Sequence, residues 1–64
     1  MNANEVHSLY RKHVQCKDNS NWHGEYCIVD HIIAREDGYK ALLLSARRSG
    51  VHECNINDCE EVKQ

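Results

Sequence analysis

The sequence predicts a mainly β fold, about five short strands preceded by a short N-terminal helix, and three observations carry that reading. Between Glu25 and Arg35 the chain holds Tyr26, Cys27, Ile28, Val29, Ile32 and Ile33, β-branched and aromatic types that fit a pleated surface. Asp37-Gly38 lies between two apolar runs and signals a hairpin, because glycine accepts the positive φ of a tight turn. Near the start, Val6, Leu9, Tyr10, His13 and Val14 fall at the spacing of one helical face.

Each element follows from its residues. Asn4 is an N-cap with Glu5 in the first turn, where negative charge suits the helix dipole. The helix is placed at about residues 4–11, because from Lys12 to Lys17 the chain also alternates, with Val14 and Cys16 on one side of a first strand. Lys17-Asp18-Asn19-Ser20-Asn21 is a loop of residues that hydrogen-bond their own backbone, closed by Trp22-His23-Gly24. The strand over 25–35 is apolar on both faces, Tyr26, Ile28, Ile32 and Ala34 on one and Cys27, Val29, His31 and Ile33 on the other. A sharp bend that changes the inward face, as in a small closed barrel, accounts for this.

Residues 39–48 read two ways. A strand follows from the turns on either side, Asp37-Gly38 and Arg47-Arg48-Ser49-Gly50, and is preferred. The alternative is α+β, with Tyr39, Leu42, Leu43 and Ala46 forming a helical face ended by Gly50. A short strand at 51–54, a tight turn or 3₁₀ step at Asn55-Ile56-Asn57-Asp58 and a last strand from Cys59 to Val62 complete one domain over 1–64.

A chain of 64 residues buries only about 60% of its unfolded surface, so the core is small. Trp22 and three tyrosines are the aromatics and there is no Phe, which leaves Ile, Leu and Val to fill it. A ligand-engulfing catalytic pocket needs walls beyond that core. The formal charge of −2, eight Lys and Arg against ten Asp and Glu, lacks the positive excess of a DNA-coating protein. Apolar runs fall short of the roughly 18 residues of a membrane span, and Met1-Asn2-Ala3-Asn4 lacks the apolar centre of a secretory signal. The expected address is the cytoplasm, with Cys16, Cys27, Cys54 and Cys59 as reduced thiols.

The order of elements resembles the SH3-like small barrels, the group that includes KOW and Tudor modules. Carrying the resemblance are Val14 and Cys16 in a first strand, Gly24 opening a second with Ile28 and Ile32, the turn at Asp37-Gly38, and the step Asn55-Ile56-Asn57-Asp58 before Cys59-Glu60-Glu61-Val62. It spans roughly residues 12 to 62 and is architectural, with no family motif matched residue for residue. It implies a binding function through loops and one open face. Methylated side chains are not the implied ligand, since Trp22, Tyr26 and Tyr39 are too few for an aromatic cage.

Thiolates and imidazoles are the ligands zinc prefers, which brings the four cysteines with His23, His31 and His52 into consideration. The spacing opposes it, because structural sites use tight pairs such as CxxC, whereas Cys54 and Cys59 are separated by four residues and Cys16 and Cys27 by ten. His52-Glu53-Cys54 offers one pair on one side of a strand, leaving open a site of Cys54, Cys59, His52 and one further Cys. The preferred reading is no metal and no cofactor, with thiols acting as small hydrophobes. Cys54 beside His52 also meets the first requirement of a thiol nucleophile, but no oxyanion donor or cleft accompanies it, and no enzyme is expected.

A non-enzymatic binding protein remains, an accessory factor or inhibitor docking on a larger protein machine. Basic residues at Arg11-Lys12-His13, Lys17, Lys40 and Arg47-Arg48, acidic ones at Glu36-Asp37, Asp58, Glu60 and Glu61, give a surface of mixed patches suited to a protein partner. Such a profile fits a small phage or mobile-element regulator. Direct binding of RNA or single-stranded DNA is the alternative, through phosphate contacts and stacking on Trp22 and tyrosines. A small zinc-stabilised domain is a second alternative. The expected contact residues are Trp22, His23, Tyr39, Arg47 and Arg48, on the loops around the second and third strands.

Overall fold

The computed structural model of the chain describes residues 3–63, so Met1, Asn2 and Gln64 of the predicted 1–64 domain lie outside the described residues. A helical turn α1 (Ala3–His7) precedes strands β1 (His13–Cys16), β2 (Tyr26–Arg35), β3 (Gly38–Leu44), β4 (His52–Asn55) and β5 (Cys59–Glu61), with a 3₁₀ turn at Ile56–Asp58. The strands form one antiparallel sheet in the order β4-β3-β2-β1-β5. Among the described residues no helix is long and apolar enough to cross a membrane.

The helix is shorter than its apolar spacing predicts. Beyond His7 the bonds tighten to three-residue steps, Leu9 N to Val6 O at 3.1 Å and Lys12 N to Leu9 O at 3.0 Å. Arg11 then takes φ +63 and its amide donates to Val29 O at 2.9 Å, which turns the chain into β1. Val6 and Leu9 are buried, while Tyr10 stays half exposed; Val14 enters the core from the sheet, in the first strand where its alternation with Cys16 placed it.

β2 pairs with β3 in one register up to Val29↔Leu43 and in another from His31↔Leu42. Asp30 is the extra residue, so the inward parity changes from Cys27 and Val29 to Ile32, which packs against the core. This bulge explains why both faces of the segment are apolar. Residues 39–48 are not a helix: Gly38–Leu44 is a strand between two partners, with Ala41 and Leu43 buried and Leu42 and Leu44 half-buried on the other face.

The predicted closed SH3-like barrel is not formed. β4 and β5 are the two edges of an open sheet, and among the described residues no strand pairing joins them. The physical reason lies in the link between them: the chain coils into the 3₁₀ turn there, and its Ile56 enters the core instead of extending a ladder. Glu60 and Glu61, both exposed, place negative charge on the β5 edge, where it discourages pairing with another chain.

The sheet nevertheless curls strongly. β1 and β4 are separated by two strands, about 14 Å across a flat sheet, yet their inward side chains touch, with Cys16 Sγ 3.7 Å from Cys54 Sγ. Lys40, the buried charged residue, ties the β2–β3 hairpin to β4 through Asp37 Oδ2 at 3.0 Å and through the Asn55 amide oxygen. Gly38 closes that hairpin at φ +128, a conformation L side chains rarely adopt, with open space around it. Gly38→Ala therefore lowers stability through the backbone alone, by about 1–2 kcal/mol, read as a lower urea midpoint with unchanged slope.

Candidate metal centre

Two short segments, each two residues from ligand to ligand, meet where the curled sheet brings β1 to β4. Cys16-Lys17-Asp18 runs off the end of β1, and His52-Glu53-Cys54 opens β4. Their four ligand atoms all lie within 4.8 Å of one another.

Local structure fixes each of them. The Cys16 amide donates to Glu25 O at 3.0 Å, its carbonyl accepts from Gly24 N at 2.7 Å, and the next amide, of Lys17, donates to Asp58 O at 2.8 Å. Cys16 is thus held from both sides, by the residues that lead into β2 and into β5. Asp18 is aimed by the loop it begins: Oδ1 accepts from Ser20 N at 3.0 Å and from Ser20 Oγ at 2.5 Å, leaving Oδ2 toward the centre, 2.6 Å from His52 Nε2. His52 and Cys54 pair with Leu43 and Ala41, whose side chains point inward, so both ligands of β4 share the inner face.

Trp22 covers the centre. Its ring stacks on His52 with centroids 5.1 Å apart and 13° between planes, and the Arg48 guanidinium lies 5.5 Å from the Trp22 centroid. Arg48 is itself anchored to Asn21 O at 2.7 Å and to Glu25 Oε2 at 3.3 Å. The layered rings keep water from one side of the imidazole and set its orientation.

Electrostatics at the centre favours the Asp18 carboxylate and disfavours free thiolates. Burial alone would raise the Asp18 carboxyl, but hydrogen bonds from Ser20 and His52 hold it well below the usual carboxylate range. Burial pushes the Cys16 thiol up to about 12. The Cys54 thiol is also raised, by its hydrogen bond with Cys59 and by burial. Such thiols are poor nucleophiles at neutral pH. Nor is this a Ser-His-Asp relay, because Ser20 Oγ at 3.2 Å and Asp18 Oδ2 meet the same ring nitrogen, and a relay needs opposite nitrogens.

Cys16 and Cys54 are buried free thiols, and the cluster adds to their reading as small hydrophobes the capacity to act as ligands. His52 and Cys54 do form a pair on one side of a strand, and the further cysteine is Cys16, but the fourth group is Asp18 in place of Cys59. Cys27 fits the hydrophobic reading: it is buried, outside the cluster, and pushed up to about 11 by burial. His23 and His31 are exposed and take no part.

The nucleic-acid reading is corrected by the same arrangement. Trp22, the stacking platform it needs, is 8% exposed beneath Arg48. Three of the cations named for it are paired, Arg11 with Asp30 at 3.3 Å, Lys40 with Asp37 at 3.0 Å and Arg48 with Glu25 at 3.3 Å. Of the expected contact residues, Trp22 and Arg48 lie together over the Cys16, Asp18, His52 and Cys54 cluster. His23, exposed, has Nδ1 2.6 Å from Asp18 O, and Arg47 is exposed on the 45–50 turn. Tyr39 is half-buried elsewhere, edge-on to His7 of α1 at 6.1 Å.

No family model, curated protein or solved structure matches the chain.

Proposed function

We propose that this chain is a small metal-stabilised domain that holds one zinc-type ion between Cys16, Asp18, His52 and Cys54. The observation that carries the reading is the 3.7 Å separation of the two sulfurs, beside an imidazole nitrogen and a carboxylate oxygen of the same cluster. Two thiolates each about 2.3 Å from a tetrahedral zinc stand about 3.8 Å apart, so the sulfurs already occupy one edge of the coordination polyhedron. His52 Nε2 and Asp18 Oδ2, at 2.6 Å, stand closer than a tetrahedral N···O edge of about 3.3 Å and part slightly as the ion replaces the proton between them. The metal deprotonates both thiols on binding, so uptake weakens as pH falls.

Two thiolates, one imidazole and one carboxylate from the protein leave no open position, which is the arrangement of a structural site and not of a catalytic one. The ion would pin the 17–25 loop to β4, across the mouth of the curled sheet. On that loop and its cap, His23, Arg47 and Arg48 are the surface we assign to a protein partner, with Trp22 supporting it from below. Retention of a partner after Arg47→Ala and Arg48→Ala together would discard this surface.

Protein purified without chelator is expected to carry zinc at about one ion per chain by elemental analysis. Trp22 is the single tryptophan and stacks on a ligand, so zinc added to stripped protein changes its emission with the same stoichiometry. Cys54→Ser abolishes both signals, whereas Cys27→Ser keeps them. Metal content near zero, with no emission change on titration, ends the reading.

A further inference from the structure

A third thiol stands against the two ligand sulfurs and takes no part in the cluster. Cys59, half-exposed on the edge strand β5, is the register partner of Cys16. The flanking bonds, Lys17 N to Asp58 O at 2.8 Å and Val62 N to His13 O at 2.9 Å, make Cys16 and Cys59 a pair that does not exchange ladder hydrogen bonds. In such a pair the Cα atoms are about 4.5 Å apart, within the roughly 4.4–6.8 Å that a disulfide spans. Cys59 also meets the second ligand: the thiols of Cys54 and Cys59 converge on the same carbonyl, Asn55 O, at 3.4 and 3.6 Å.

We propose that Cys59 is an oxidation site whose product is a disulfide to one of the two ligand sulfurs beside it, Cys54 or Cys16, and that this bond expels the metal. The accessible thiol meets the oxidant and the buried ones resolve it, which makes exposure the reason for the order of events. A hydroperoxide converts the Cys59 thiol to a sulfenic acid, its O–O bond breaking and water or an alcohol leaving. The ligand thiolate then attacks the Cys59 sulfur. The S–S bond forms, the S–O bond breaks with loss of hydroxide, and the sulfur's electron pair passes from the metal to the new bond. In all, two thiol sulfurs are oxidised by two electrons and one peroxide is reduced. An ion left with three protein ligands, one of them a carboxylate, is released to solvent or to a chelator. Its release rests on the metal reading above; formation of the disulfide does not.

The test uses the full chain loaded with zinc, hydrogen peroxide as oxidant and a chromophoric chelator to report free zinc. Zinc release is expected together with the loss of two hydrogens in intact mass, and peptide mapping is expected to join Cys59 to Cys54 or Cys16. Cys59→Ser slows release at least about tenfold while leaving zinc content unchanged. Cys59→Ala serves the same purpose if the hydroxyl disturbs β5. Reductant restores zinc binding. Release at an unchanged rate in both variants, a Cys16–Cys54 bond with Cys59 free, or Cys59 oxidised without a partner would each overturn the proposal. The same mapping on zinc-free protein separates the two ideas: a disulfide from Cys59 in a chain that takes up no zinc sinks the metal reading and the switch while leaving the oxidation site standing.

Discussion

Stripping zinc from the proposed site with a chelator is expected to lower the melting temperature of this domain by roughly 10–20 °C. Zinc bound to the folded chain and not to the unfolded one adds about 2.7 kcal/mol when present at a hundred times its dissociation constant. In a domain of this size each kcal/mol moves the midpoint by about 4–8 °C. The effect is concentrated on contacts the sheet ladder does not provide: β1 and β4 are not neighbours, and the ion would bridge side chains that otherwise meet through Cys16–Cys54 and Asp18–His52. Thermal melts with and without zinc, followed by circular dichroism, read it directly. Cys54→Ser and Asp18→Asn melt at or below the zinc-free temperature and at the same point whether or not zinc is added. Cys27→Ser, which loses a buried thiol but no ligand, melts lower in both conditions and keeps the difference between them. A midpoint indifferent to zinc in the native chain removes the metal from its architecture.

Leu43→Ala costs about 2–5 kcal/mol, the usual range for a buried leucine cut to alanine. Leu43 is fully buried at the centre of β3, opposite Val29 on one side and His52 on the other. A domain of 64 residues has roughly 3–10 kcal/mol in total, so the variant is partly or wholly unfolded at 25 °C. Leu42→Ala, one residue away on the half-buried outer face, costs about 1 kcal/mol or less. Urea unfolding of the two variants measures this asymmetry. It is specific to a strand, because a helix over 39–48 would place Leu42 and Leu43 on the same apolar face and make both changes severe. Equal losses would contradict the sheet.

Most strand positions were legible locally. Alternation around Val14 and Cys16, the β-branched run after Gly24, the hairpin at Asp37-Gly38 and the step before Cys59 each reflect a side-chain period or a turn preference acting over a few residues. The bend in β2 was legible too, since an apolar run on both faces needs a change of parity, and Asp30 supplies it. Closure was not. Whether the edges of a curled sheet pair depends on strand length and on the path between them, and the four residues of β4 and three of β5 are joined by a coil that carries Ile56 inward.

The candidate metal site divides in the same way. His52-Glu53-Cys54 and Cys16-Lys17-Asp18 both have the two-residue spacing that places ligands on one face of extended chain, a signal present in the sequence for each half. That the halves face each other across 34 to 38 residues, and that Asp18 and not Cys59 turns its polar atom to the centre, came only from the curl of the sheet and the Ser20 bonds that aim the carboxylate. Amino-acid order by itself determined short-range structure and the chemical types available. Tertiary structure decided which of those groups meet, because ligand distances are set by sheet curvature, a property of all five strands together.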